Sequence, residues 1–145
     1  MNTRQLEEYM MKDPYILNMY GGVVAIDQIP HQIVKPSLFI VNSDPIAFKG
    51  EHWEVLYFDK INEHFDSVGL EPHPVLETHL ITNGPKYRFN SKRVQNYHTN
   101  SCGLFCLFFC YFRARAYSFI DIMDMLGNNL ELNEDVVNYF YGLTM

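Results

Sequence analysis

The sequence is short of positive charge: 11 lysines and arginines stand against 17 aspartates and glutamates, a formal net charge of -6. Binding to a phosphate backbone is driven by clustered cations, so this balance gives association with DNA little support. The nearest approach to a basic cluster, Lys86, Arg88, Lys92 and Arg93, is interspersed with polar residues and reads as a solvated face. Cysteine is scarce as well. Cys102, Cys106 and Cys110 stand four residues apart in one row with no partner elsewhere, an odd count that describes no disulfide framework and suits a reducing, intracellular compartment. They also lack the paired CxxC spacing of a zinc site, so neither a metal nor another cofactor is expected. Long apolar runs are missing too. The longest, 103–112, is about half the length that spans a bilayer, and residues 1–12 carry Arg4, Glu7, Glu8 and Lys12 in place of a signal peptide's apolar stretch.

What is present is a composition 48% apolar and 15% aromatic over 145 residues, which is enough to build one core and argues for a single domain, 1–145. Thr3 is the expected cap of a short first helix with Leu6, Tyr9 and Met10 on one face, ended by Asp13-Pro14. Residues 22–26 and 37–42 read as buried strands, and 44–50 as a turn-rich connection. Residues 53–59, apolar on both faces, read as a central strand, followed by a brief strand at 63–67. The stretch 71–91, interrupted by Pro72, Pro74, Gly84 and Pro85, reads as irregular with at most one helical turn. Asn100 or Ser101 is the expected cap of a buried helix over 102–116, Ser118 caps a further one, and Asn133 begins the last. The fold class is α+β: a small mixed sheet with one helix buried against it and flanking helices at both ends of the chain.

Cys102 carries the chemistry of interest. It lies between a polar loop, 95–101, and the start of a fully apolar helix, where free backbone N–H groups and the helix dipole favour an anion such as a thiolate. Cys106 and Cys110, deeper on the same row, read as core residues. A nucleophilic cysteine needs a base. Among six histidines, His31, His64, His73, His79 and His98 occupy polar or proline-flanked contexts that suit the surface, whereas His52 directly precedes the most strand-like segment. Asp66 is the carboxylate placed to orient the imidazole, with Glu54 and Asp59 as alternatives. For the oxyanion, Gln95 stands seven residues before Cys102, and Asn96 or Asn100 could serve equally.

The order of these pieces, Lys49-Gly50-Glu51-His52-Trp53, then Phe65-Asp66-Ser67-Val68-Gly69, then Val94-Gln95 and Asn100-Ser101-Cys102-Gly103-Leu104-Phe105-Cys106, resembles the adenain-like cysteine proteases. These include the adenovirus maturation protease and enzymes of virophages and large virus-like transposons, with the SUMO-deconjugating proteases as distant relatives. The resemblance runs from about Pro14 to Phe112. It implies a papain-like core with the nucleophile at the N-terminus of the buried helix. It also implies catalytic roles for Cys102 as nucleophile, His52 as base, Asp66 as its orienting partner and Gln95 as oxyanion donor, with Trp53 shaping the substrate side. The implied substrate is a polypeptide cleaved after a small residue, often glycine, such as a capsid or core precursor. The implied setting is the host cytoplasm or nucleus, a virus factory, or the virion.

An activating peptide is compatible with the resemblance, but no cysteine between Asp66 and Cys102 could hold one by a disulfide. The acidic balance argues against DNA as activator. No heptad or long exposed apolar stripe is visible, so a monomer with no membrane contact is expected. Two other readings share the residues. One is a processing protease for a ubiquitin-like modifier; the other is a noncatalytic, capsid-associated binding module in which Cys102 is a core thiol.

Overall fold

The computed structural model describes residues 1–43 and 52–145. Five strands, β1 (Tyr20–Ala25), β2 (Ser37–Asn42), β3 (Trp53–Phe58), β4 (Asn62–Phe65) and β5 (Tyr87–Phe89), form one sheet in the order β1-β2-β3-β4-β5. The outer pairings, β1 with β2 and β4 with β5, are parallel, and the inner two are antiparallel. This is the α+β class with a small mixed sheet. The helices are α1 (Thr3–Lys12), α2 (Pro14–Leu17), α3 (Pro74–Thr82), α4 (Cys102–Ala114), α5 (Phe119–Asp124) and α6 (Leu130–Thr144).

The sheet is covered on both faces, which is why β3 is buried along its whole length. Trp53, Val55, Tyr57 and Phe65 belong to the main core with α4, whereas Leu56 and Phe58 pack with Leu76 and Leu80 of α3 on the opposite side. Helix α4 is apolar nearly all round and buries Phe105, Cys106, Leu107, Phe108, Phe109 and Cys110. Phe109 stacks on Phe65 of β4, centroids 4.9 Å apart, and meets Phe119 of α5 edge-on at 5.8 Å. Phe109→Ala is therefore expected to cost about 3–5 kcal/mol, read as a lower urea midpoint at unchanged slope. The far end of α4 is fixed by a charge fork. Arg113 donates to both carboxylate oxygens of the fully buried Glu63 at 2.9 and 3.2 Å, and Arg88 adds a third bond at 3.1 Å.

Several expectations need correction. The cap of α1 is Asn2, which exchanges hydrogen bonds with Gln5. Residues 71–91 are more regular than their prolines suggest: His73 caps α3 with Pro74 in the first turn, where a missing N–H costs nothing, and Leu76 and Leu80 pack the far face of the sheet. Strand β5 follows at the edge. Helix α6 starts three residues before Asn133, with Asn129 as its cap; Asn133 lies inside the helix because its amide has partners in the core. The turn expected over 44–50 lies outside the described residues. Of the basic residues, Arg88 pairs with Glu63, Lys92 donates to Leu126 O at 2.8 Å, and Arg93 donates to Gln95 O at 2.8 Å. These three are engaged within the molecule.

Candidate active site

Three elements converge at one end of the sheet. His52 stands at the entrance to β3, Asp66 directly follows β4, and Cys102 is the first residue of α4. The antiparallel register, with Val55 opposite Phe65, brings the start of β3 to the end of β4. His52 Nε2 donates to Asp66 Oδ1 at 2.8 Å. His52 is also hydrogen-bonded to Cys102, and since Nε2 is taken, Nδ1 is the ring nitrogen left for the thiol. The side chain of Asp66 is 2% exposed and that of His52 28%, so the carboxylate is sealed while the base meets solvent.

Electrostatics follow from these contacts. Burial alone would push the Cys102 thiol up, but the hydrogen bond with His52, the N–H groups of Trp53 and Gly103 and the charge of His52 outweigh it and lower the thiol below its ordinary value. Burial would likewise push the His52 imidazole down; the bonds to Asp66 and Cys102 and the negative charges of Asp66 and Glu54 reverse that and raise it to about 10. Asp66 is lowered, because the bond and charge of His52 and the Val68 N–H overcome its burial. Both shifts favour the thiolate and imidazolium form of the pair over the neutral one. Cys106, with burial and no such partner, is raised well above its ordinary value, and Cys110 is raised by burial alone.

For stability the signs are opposite at the two ends of the pH scale. His52, raised on folding, contributes fully below its ordinary 6.5, and that contribution is lost as pH rises through about 10. Asp66, lowered on folding, contributes above its ordinary 3.8 and loses that contribution as pH falls through its folded value.

Gln95 is fixed in the segment before α4 by backbone pairing. Ser67 O accepts from the N–H of both Val94 and Gln95 at 2.9 and 3.0 Å, which docks the chain after β4 against the segment before α4. That approach requires Gly69: its φ is +81°, and a Cβ there would meet Arg93 N at 2.8 Å. The Gln95 amide is itself oriented, Oε1 accepting from Ser67 Oγ at 2.6 Å and Nε2 donating to Thr99 O at 2.9 Å. A carbonyl can only accept, so Nε2 must face Thr99, and its second N–H remains for another acceptor. Neither alternative amide is held in this way: Asn96 Oδ1 is used locally by His98 N–H, and Asn100 is exposed in the loop.

Trp53 is placed differently from its expected role. Its side chain is in the core, 6% exposed, with its indole N–H donated to Met1 O at 3.0 Å. Almost none of the ring is left for a substrate. Its contribution to the site is the backbone N–H directed at Cys102. Of the alternative carboxylates, Asp59 accepts from Tyr57 OH at 2.9 Å, and Glu54 pairs with His64 at 2.7 Å. His64, expected at the surface, is fully buried.

Three supporting residues escaped the sequence reading. Asn90 clamps the backbone of Asp66, accepting from its N–H at 2.9 Å and donating to its O at 2.6 Å. Asn133 donates to Val94 O at 3.0 Å, and Glu134 accepts from Asn96 N–H at 2.9 Å and Thr99 Oγ1 at 3.1 Å. The start of α6 thus holds the Gln95 loop in place. Asn90 lies in an irregular segment with no periodic signal, and only its burial reveals the clamp.

His52, Glu54 and Asp66 each offer one atom within 4.8 Å of the others, the residue types of a metal site. The His52–Asp66 bond accounts for two of the three, and the pairing of β3 with β4 places Glu54 beside them. No helix among the described residues is long and apolar enough to cross a membrane.

No family model matches the chain, and no curated protein matches it in sequence. Among solved structures, the ASFV pS273R protease aligns at 20% identity with a TM-score of 0.47, over 69% of this chain and 43% of that one. The chain thus spans less than half the length of that protein. The central domain of the uncharacterized Lpg1148 protein from Legionella pneumophila aligns over 100% of this chain and 98% of that domain, at 13% identity and a TM-score of 0.52. That second likeness is one of fold across the whole chain.

Proposed function

We propose that the protein is a cysteine endopeptidase with Cys102 as nucleophile. The observation that carries the reading is the continuous line from Asp66 through His52 to Cys102, ending on a thiol at the first turn of a buried helix. A structural thiol needs no imidazole, and a structural imidazole needs no thiol at a helix start.

In this mechanism the Cys102 thiolate attacks the scissile carbonyl carbon, and the carbonyl electrons move onto oxygen. The backbone N–H of Cys102 and the free N–H of Gln95 receive that oxyanion. The His52 imidazolium then gives its proton to the leaving amine as the C–N bond breaks, which leaves a thioester. Water attacks the thioester with neutral His52 taking its proton, and the thiolate departs. Asp66 stays ionised and holds the ring in one orientation throughout.

The substrate we propose is an extended polypeptide cleaved after a small residue, glycine first among candidates, in capsid or core precursors of a virus or virus-like element. The resemblance through Gln95 and Ser101-Cys102-Gly103-Leu104-Phe105 supports this branch. A processing enzyme for a ubiquitin-like modifier is the second reading, since the same four side chains serve it. Incubation with glycine-containing peptide libraries and with glycine-ended electrophilic probes of SUMO and ubiquitin decides: cleavage of free peptides without probe labelling supports the first, and rapid probe capture supports the second. Inertness toward all of these, peptides and probes alike, would argue against peptidase activity.

Gln95→Ala separates chemistry from nucleophile activation. The expected result is a fall in kcat of about 10²-fold or more, with iodoacetamide labelling of Cys102 unchanged, because alkylation develops no oxyanion.

A further inference from the structure

A second imidazole–carboxylate pair lies beside the first. His64 Nε2 is 2.7 Å from Glu54 Oε1, and both residues are buried, at 0% and 4% exposure. Leu56 and His64 are partners across β3 and β4, and strand side chains alternate, so Glu54 and His64 share the face that carries Leu56 of the second core cluster. The surroundings on that face are apolar. A buried pair there costs free energy unless something uses it.

The hydrogen-bond pattern fixes the state of this pair. His64 Nδ1 is buried with no hydrogen-bond partner. A proton on that nitrogen would be an unpaired buried N–H, so the ring proton belongs on Nε2, where it is donated to Glu54. A neutral imidazole that donates one N–H orients the carboxylate without cancelling its charge. One carboxylate oxygen of Glu54, one ring nitrogen of His52 and one carboxylate oxygen of Asp66 all lie within 4.8 Å of one another. The charge therefore faces His52.

We propose that Glu54, oriented by His64, is a positioning residue of the site: a second buried carboxylate that works with Asp66 to keep His52 protonated and paired with the Cys102 thiolate. This rests on the thiolate and imidazolium reading of Cys102 and His52. The titratable groups that bear on His52 are Asp66 at the end of β4, Glu54 on β3 and Cys102 on α4. Of these, Glu54 is the one whose hydrogen bond runs to His64 and not along the line from Asp66 through His52 to Cys102. Its sign is definite: removing an anion beside an imidazolium lowers the pH at which the ring loses its proton.

The test is titration of the His52 imidazole by NMR in the wild type and in Glu54→Gln, which keeps the shape and an acceptor for His64. The expected result is a midpoint lower by about 1 pH unit or more, a tenfold change in the protonation constant, with the amide spectrum otherwise retained. An unchanged midpoint in a folded variant would overturn the proposal. If the variant does not fold, the wild type carries the test through the side-chain carboxyl carbon of Glu54. Its shift should inflect at the His52 midpoint, and a flat trace through that midpoint would overturn the proposal equally. Neither readout needs peptide cleavage, so a lack of protease activity would fail the functional reading and leave this one to be judged separately.

Discussion

Cys102→Ala is expected to abolish peptide hydrolysis, with kcat/KM down by at least about 10⁴-fold, while the thermal midpoint moves little. The thiol is one of three in a row on α4, and that is what makes the comparison informative. Cys106 and Cys110 are completely buried in the core, so Cys106→Ala and Cys110→Ala should lower stability through lost packing and leave the rate per folded molecule near the wild type. The three sulfurs have the same intrinsic chemistry and differ only in what surrounds them. Only Cys102 meets an imidazole and two backbone N–H groups outside its own helix interior. Equal losses of activity in all three variants would mean that the effect comes from packing and not from a nucleophile.

Asp66→Asn should produce the second largest loss, a fall in kcat of about 10³–10⁴-fold with the protein still folded. Folding is expected to survive because Asn90 grips the backbone of Asp66 and not its carboxylate. The side chain is what His52 uses. Without that charge the imidazole loses its main support for the protonated form, and its midpoint falls from about 10 toward its ordinary 6.5. The Cys102 midpoint should rise in step, since each charge stabilises the other. The check is a pH profile of kcat/KM alongside thiol labelling of the same variant. What remains of the raised His52 midpoint in this variant is what Cys102 and Glu54 supply together.

The parts of this site that were legible in the sequence are those set by strong local patterns. An apolar run with a cysteine at its polar border marked the start of α4, and a histidine at the edge of an unbroken strand marked His52. Both follow from where a chain must bury side chains and where it leaves backbone N–H groups free. Helix α3 was missed because Pro74 and Pro72 look like breaks, whereas a proline in the first helical turn is compatible with continuation. The buried pair of His64 and Glu54 was missed for a different reason. His64 reads as a surface residue and Glu54 as an alternative partner of His52, and only the cross-strand pairing of β3 with β4 shows that the two meet in the interior. Asn133 read as a cap because asparagine usually is one, but its amide bonds to Val94 and Gly127 serve a long-range tie. Pairings across dozens of residues leave no trace in a local window.

The pairing of Cys102 with His52 is tested most directly by the rate of iodoacetamide labelling at each cysteine across pH, read by mass spectrometry, for the wild type and His52→Ala. The account predicts that in the folded wild type Cys102 alone labels at neutral pH, that its midpoint lies below the ordinary thiol value of 9.0, and that His52→Ala moves this midpoint up and slows labelling near neutrality at least tenfold, by order of magnitude. Labelling of Cys102 that follows the same pH curve with and without His52, or that is no faster than at Cys106 and Cys110, would contradict it.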